Sequence, residues 1–204
     1  MKGNLYIISA PSGAGKTSLV RKIMEKRGNV CFSISHTTRA MRPGEKNGFD
    51  YHFIDTGAFQ EMIKDDAFIE HAQVFDNYYG TSHASVEDQL ADGLDVVLDI
   101  DWQGARQIRA QLPHAINIFI LPPSKQALDE RLHTRGQDSE EIIAQRMQSA
   151  IQEMSHYDEY QYLILNDDFE TATTELDAIL HSQHLTINQQ SLRHQVIINE
   201  LLST

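Results

Sequence analysis

The sequence predicts an α/β fold with a mainly parallel sheet covered by helices on both faces. Apolar runs of strand length recur at residues 5–8, 96–100, 116–121 and 162–165. Helix-like segments lie between several of them, the alternation that a parallel sheet requires. The first run leads directly into a glycine loop and then a helical pattern. The chain has 204 residues, 41% of them hydrophobic, enough for one such core with inserted parts.

The first strand, Leu5 to Ile8, precedes Ala10-Pro11-Ser12-Gly13-Ala14-Gly15-Lys16-Thr17-Ser18, and Leu19, Val20, Ile23 and Met24 then recur at helical spacing. Strand, glycine loop and helix in this order are the context of a phosphate-binding P-loop. Gly13 and Gly15 let backbone N–H groups converge on phosphate oxygens, where a Cβ would obstruct. The helix N-terminus adds partial positive charge. Lys16 reaches the β- and γ-phosphates and Thr17 offers a hydroxyl to Mg²⁺. Ala10 stands where the strict pattern has its first glycine, a position where a small residue is expected to suffice.

From about Ser33 to Asp92 the chain is polar, turn-rich and aromatic, and reads as an insertion into the core rather than another strand–helix unit. Arg39 and Arg42 lie close together beside turn residues and ahead of Tyr51. Two guanidinium forks and a tyrosine hydroxyl can clamp a phosphate dianion, and a pair of solvated arginines gives the same pattern. The very apolar run 96–100 contains Asp99, an expected partner of Mg²⁺ through water; an Asp that caps the next turn reads the same way. Asp101, two residues on, would point the same way as Asp99 if the strand continues.

Pro122-Pro123 ends the third run, and Ser124 can cap a helix carrying Leu128 and Leu132. Asp138 with Glu141 resembles a capping box opening a second helix with Ile142, Ile143, Met147, Ala150, Ile151 and Met154 on one face. After about Thr186, a stripe of Leu192, Val196, Ile197, Leu201 and Leu202 predicts a terminal helix docked on the body or on another subunit.

Composition excludes some functions. The formal charge of −12 argues against a nucleic-acid binder, which needs a broad basic face. Cys31 is the single cysteine, so no intrachain disulfide forms, and a reducing cytoplasm is expected. No secretory signal is read at the N-terminus. No run approaches the roughly 18 apolar residues of a membrane span. Ten histidines include no His-Glu-x-x-His, and a surface pair is the commoner reading of His181 and His184.

The residues Pro11 to Thr17, Thr37-Thr38-Arg39 through Asn47-Gly48-Phe49-Asp50-Tyr51, Tyr79-Gly80-Thr81-Ser82, Leu98-Asp99-Ile100-Asp101 and Thr134-Arg135-Gly136, in this order, resemble the guanylate kinase family of bacterial type. The resemblance runs from about Gly3 to His184. It implies a P-loop nucleoside monophosphate kinase fold: a parallel-sheet core (3–32, 93–124 and 151–184), an inserted GMP-binding subdomain (33–92), a helical lid (125–150) and a C-terminal helical tail (185–204). It implies transfer of the γ-phosphoryl of MgATP to GMP, and to dGMP, giving ADP and GDP. ATP and GMP are then the ligands, with self-association into a homo-oligomer an expectation from the apolar tail.

The resemblance also implies roles. Ala10 to Ser18 would bind ATP, with Lys16, Arg135 and Arg146 catalytic and Thr17 and Asp99 serving Mg²⁺. Arg39, Arg42, Tyr51 and Tyr79 would hold the GMP phosphate, with Gly80 beside them. Ser35, Glu70, Thr81 and Asp101 would read guanine, whose N1–H and N2 amino group donate to carboxylates and whose O6 accepts from hydroxyls. Adenine would leave those carboxylates unpaired, a penalty on the order of 10⁴-fold. Arg131 would join the lid arginines over the ATP phosphates, or pair with Asp129 or Glu130 on a solvated face. Asn166-Asp167 resembles the family's adenine-side loop, and is also ordinary turn chemistry. A non-catalytic guanylate-kinase-like binding module is the rival reading, and the intact P-loop and lid arginines argue against it. Kinases of other monophosphates share the P-loop and lid but are not expected to pair Glu70 and Asp101 with Arg39 and Arg42.

Overall fold

The computed structural model describes residues 2–74, 76–134 and 140–203. In chain order the elements are β1 (Leu5–Ser9), α1 (Lys16–Lys26), β2 (Val30–Phe32), β3 (His36–Thr37), β4 (His52–Phe53), α2 (Thr56–Lys64), β5 (Phe68–Val74), β6 (Asn77–Ser82), α3 (His83–Ala91), β7 (Asp95–Asp99) and α4 (Trp102–Gln111). They continue with β8 (Ile116–Leu121), α5 (Lys125–Thr134), α6 (Glu140–Met154), a 3₁₀ turn at Tyr157–Glu159, β9 (Tyr162–Leu165), α7 (Phe169–Gln183), α8 (Ile187–Arg193) and α9 (Gln195–Leu202).

The strands form two sheets. One has the order β2-β7-β1-β8-β9, and every pairing in it is parallel. Its central strand explains the unbroken apolar run that begins the chain. Successive side chains of a strand face opposite ways, so Tyr6 and Ile8 pack with Leu19, Val20 and Ile23 of α1 and Leu176 and Leu180 of α7. Leu5 and Ile7 pack on the other face with Val86 and Leu90 of α3 and Ala105 and Ile108 of α4. Each such side chain removed from water contributes about 1.5–3 kcal/mol. Asp177 of α7 pairs with Lys26 and Arg27, fastening α1 to α7 beyond the apolar contact.

The second sheet has the order β4-β3-β6-β5. The stretch read as turn-rich thus holds strands of its own, including the antiparallel β5–β6 pair, and two helices. Short polar strands with a bulge between Phe68 and Glu70 lack the period-2 signal that would have disclosed them. Their core is aromatic: Phe59 of α2 stacks between Phe68 and Tyr78.

Several sequence expectations change. The strand ends at Asp99, and Asp101 instead caps α4, its Oδ1 accepting from Gly104 N–H at 2.9 Å, so the two carboxylates do not continue one strand. Ser124 caps α5 as expected, accepting from Ala127 N–H at 3.0 Å. On α6 only Ile143 and Ala150 of the apolar set are buried, while Ile142 and Ile151 are exposed, so the stripe is not a single buried face. The capping-box Asp138 lies outside the described residues. The tail is two short helices rather than one, and Ile187, Leu192, Val196, Ile197, Leu201 and Leu202 stand exposed rather than docked on the body. His181 is exposed, whereas His184 is partly buried and pairs with the fully buried Asp95 at 2.6 Å. Among the described residues no helix is long and apolar enough to cross a membrane.

Candidate active site

The parallel pairing of β1 with β7 places Ile8 opposite Asp99, so both chains leave the sheet at one edge. Crevices at such carboxyl ends are where open α/β sheets take ligands. After β1 the chain turns, with Ala14 N–H donating to the Pro11 carbonyl at 3.0 Å. Gly13 and Gly15 adopt φ of 97° and 95°, values that a side chain would strain. A Cβ on Gly15 would also lie 2.3 Å from Asn166 Nδ2. That amide is close because it donates to the Ala14 carbonyl at 2.6 Å. Arg131 donates to the Asn166 carbonyl at 3.1 Å and to the Ala14 carbonyl at 3.4 Å. Arg131 therefore braces the loop backbone rather than pairing along a solvated helix face. Among the described residues only Asp66 is a non-glycine with positive φ, so position 10 demands no glycine, and Ala10 packs against the core instead.

At the start of α1, Lys16 Nζ pairs with Asp99 Oδ1, and Thr17 Oγ1 donates to Asp99 Oδ2 at 3.2 Å. Asp99 caps no turn. A hydroxyl and a carboxylate oxygen side by side suit a hard divalent cation.

Across the crevice, Glu70 of β5 and Thr81 of β6 are register partners. Thr81 Oγ1 donates to Glu70 Oε1 at 2.6 Å and lies 3.3 Å from the Ser35 hydroxyl. Glu70 is 4% exposed. Burial pushes its carboxyl up to about 7, against the Thr81 hydrogen bond and with help from Asp101. Helix α4 meets this carboxylate through Gly104, where a Cβ would lie 2.6 Å from Glu70 Oε2. The residue that lets Glu70 in is thus the one whose N–H Asp101 caps. Tyr51 and Tyr79 stand edge to face at 6.1 Å between ring centres. Burial pushes the Tyr51 hydroxyl up to about 12, so it stays a donor. Gly80 is buried under Phe59 and Phe68, with 3.0 Å left for a Cβ, which makes it a packing position. Arg39 gives Nη2 and Nη1 to Glu45 at 2.7 and 3.0 Å, while Arg42 is exposed and gives its backbone N–H to the same carboxylate at 2.7 Å.

These halves share one cavity of about 340 Å³. Ala10, Pro11, Ser12, Gly13, Gly15, Lys16, Thr17 and Ser18 line it from one side, and Ser35, Tyr51, Glu70, Tyr79, Asp99 and Asp101 complete it. A second cleft, of about 730 Å³, lies behind the same glycines and is lined by Pro123, Ala127, Arg131, Asn166, Asp167 and Phe169 among others.

Sequence reasoning missed Glu153, which lines the cavity from the last turn of α6. Burial pushes its carboxyl up to about 7, Lys16 opposing and Asp101 adding to the shift. Its spacing of seven from Arg146, on one helix face, was the available signal. Gly104 and Glu45 were missed as well; Gly104, three residues after Asp101, holds a cap position. Arg146 sits half-buried on α6. Arg135 lies outside the described residues. The foot of α6 is fastened to α4: Trp102 stacks on His156 at 3.9 Å, and Arg109 pairs with Glu159 at 2.6 Å.

The family model described as guanylate kinase matches residues 2–183. The guanylate kinase of Pseudoalteromonas translucida is 57% identical over 201 residues, 98% of either chain. That of Escherichia coli strain K12 is 56% identical over 204 residues, 99% of either chain. Among solved structures, the crystal structure of guanylate kinase from Anaplasma phagocytophilum matches with a TM-score of 0.73 at 34% identity, covering 91% of this chain and 88% of that one.

Proposed function

We propose a division of labour within the cleft on one premise: this chain belongs to the guanylate kinase family, and it phosphorylates GMP at the expense of ATP. ATP phosphates lie along residues 10–18, with Lys16 neutralising the transferring group. The donor base occupies the second cleft beside Asn166 and Asp167. GMP lies across the shared cavity, its phosphate held by Arg39, Arg42, Tyr51 and Tyr79 and its base read by Ser35, Glu70, Thr81 and Asp101. The observation that carries this reading is the single cavity that Lys16 and Thr17 share with Glu70 and Asp101. A phosphate-activating group and a bed of carboxylate acceptors then face one substrate pair.

The nucleophile is an oxygen of the GMP phosphate. Its second pKa is near 6, so it is mostly ionised at neutral pH without a dedicated base. Catalysis is then positioning and charge neutralisation. Thr17 and Asp99 suit Mg²⁺, Asp99 through water, and the ion would supply charge neutralisation to the ATP phosphates when bound. Arg146 and Arg135 belong to a lid, residues 125–150, that closes over the donor; residues 33–92 form the acceptor part, and 3–32, 93–124 and 151–184 the core. Closure excludes water and suppresses ATP hydrolysis.

The acceptor range extends to dGMP. The absence of a disulfide partner for Cys31 fits a cytoplasmic enzyme. The exposed apolar residues of α8 and α9, in the tail 185–204, support self-association, which sedimentation at several concentrations checks.

The test is a coupled ADP-release assay with MgATP and GMP, run beside AMP and dGMP. Turnover with GMP and dGMP but not with AMP is expected. Tight GMP binding without turnover would mean a binding module, and equal turnover with AMP would remove Glu70 and Asp101 from base readout.

A further inference from the structure

Arg39 is the most constrained arginine on the acceptor side. Its guanidinium packs over the Tyr51 ring at 5.4 Å and the Phe53 ring at 5.6 Å. Its Nη1 donates to the Ala40 carbonyl at 2.8 Å and to Glu45 Oε2 at 3.0 Å, and its Nη2 donates to Glu45 Oε1 at 2.7 Å. Both Nη1 hydrogens and one Nη2 hydrogen are thereby used, at the end of the fork. The hydrogens left are the Nε–H and the second Nη2–H. These two are parallel and lie along the side of the guanidinium plane, spaced to meet two oxygens of a carboxylate or phosphate. Tyr51, against which the plane is stacked, lines the cavity.

Glu45 does a second thing. Its Oε2 also accepts the Arg42 backbone N–H at 2.7 Å, and the Glu45 N–H donates to the Arg42 carbonyl at 3.1 Å. One carboxylate therefore joins the side chain of one arginine to the backbone of the other. The ion pair is well shielded, with side-chain exposures of 12% for Arg39 and 20% for Glu45. The hydrogen bond from Arg39 holds the Glu45 carboxyl below its ordinary range, so the pair stays ionised through neutral pH.

We propose that Glu45 is a positioning residue for the acceptor phosphate: it takes the end of the Arg39 fork, fixes its plane against Tyr51, and leaves the side edge for two phosphate oxygens. The proposal rests on the reading of Arg39 as part of the acceptor clamp. Glu45 and the phosphate use different edges, so they are not rivals for the same hydrogens. The carboxylate does repel the incoming dianion. Against that, an arginine held before the substrate arrives is spared the ordering of a long side chain on binding, worth about tenfold in affinity.

The experiment is a double-mutant cycle of Glu45→Gln and Arg39→Ala on the full chain, reading kcat and KM for GMP and ATP separately, with the melting temperature of each variant. Glutamine keeps one acceptor oxygen, but its amide N–H₂ faces a guanidinium donor, so the two-point hold is lost. Glu45→Gln is expected to raise KM for GMP about tenfold, leaving kcat and KM for ATP within about twofold, by the loss of a preorganised charge-assisted pair. In the Arg39→Ala background the same change should alter KM for GMP by less than about twofold, because its effect runs through Arg39. A fall in KM for GMP in Glu45→Gln would overturn the proposal, since Glu45 would then compete with the phosphate. A rise of the same size with and without Arg39 would also overturn it, making Glu45 a support of the loop alone. Arg39→Ala with an unchanged KM for GMP would overturn the clamp reading itself, a failure distinct from the other two. Glu45→Asp, one methylene too short to reach both nitrogens from the same backbone position, provides a second variant, expected to raise KM for GMP in the same direction and to be silent without Arg39.

Discussion

On the proposed donor side of the cleft, the groups assigned to phosphate are consecutive residues of one loop and one helix start, from Gly13 to Thr17, and most of what they would offer is backbone N–H. On the acceptor side, Ser35, Arg39, Glu70, Tyr79, Thr81 and Asp101 come from strands, loops and a helix cap spread from position 35 to position 101, and what they offer is side chains. The donor loop is held in shape by its own glycine conformations and by Asn166 and Arg131 gripping one carbonyl. The acceptor bed keeps its shape through tertiary contacts: Thr81 on Glu70, Gly104 against Glu70, Glu45 on Arg39. Backbone recognition of phosphate is general to any nucleotide, whereas side chains such as Glu70 and Asp101 can distinguish one base from another. On the proposed assignment the two halves divide activation from selectivity.

The sharpest way to break this comparison is Lys16→Ala. Losing a charge placed on the transferring group should lower kcat about 10³-fold or more, with GMP affinity measured by titration unchanged. A parallel loss of GMP affinity would show that the halves are not separate. Next in size, Glu70→Gln should cut the GMP-over-AMP ratio of kcat/KM by about 10²-fold, because an amide can donate to adenine where a carboxylate cannot. Retention of the full ratio would put base selection elsewhere. Arg42→Ala should raise KM for GMP about tenfold and leave KM for ATP alone, the loss of one charge-assisted phosphate contact.

The smallest effect is on stability. The Glu70 carboxyl has an ordinary value of 4.5 and is pushed up to about 7 in the folded chain. Between those values the native state holds a proton that the unfolded state has released. The stability this group contributes is therefore full below pH 4.5 and is lost as pH rises to about 7, by up to about 3 kcal/mol. Glu70→Gln should accordingly raise the melting temperature of the ligand-free protein at pH 8 by several degrees relative to wild type and change it little at pH 4.5. Glu153, raised in the same direction by burial, should retain a similar slope in that variant.

The two halves also differed in how well they could be read beforehand. The P-loop, β1, β8 and β9 were legible because their signals are local: a glycine pair between an apolar run and a helical pattern, β1 and β8 buried on both faces, and a short apolar run for β9, whose Leu163 and Leu165 stand exposed. The second sheet was not legible as a sheet. Its strands are short and polar, and β5 carries a bulge, so no period survives in the sequence. Whether the strand ran on from Asp99 to Asp101 was not legible, because strand ends carry no sequence mark; β7 ends at Asp99, and both carboxylates still line one cavity. Glu153 and Glu45 went unseen because each matters through a partner distant in space or on another edge of an arginine.

By itself the sequence determined the α/β class, the phosphate loop, and, through resemblance across five ordered motifs, the family. Those properties depend on neighbours along the chain, where spacing is fixed by covalent geometry. Only the tertiary structure decided that Glu70 is buried and its carboxyl pushed up from its ordinary range, that Arg131 braces the loop, that Asp101 turns into a helix cap, and that Glu45 occupies one edge of Arg39. Each of these depends on the dielectric surroundings and on the angle at which separate elements meet, and neither quantity is written in the order of the residues.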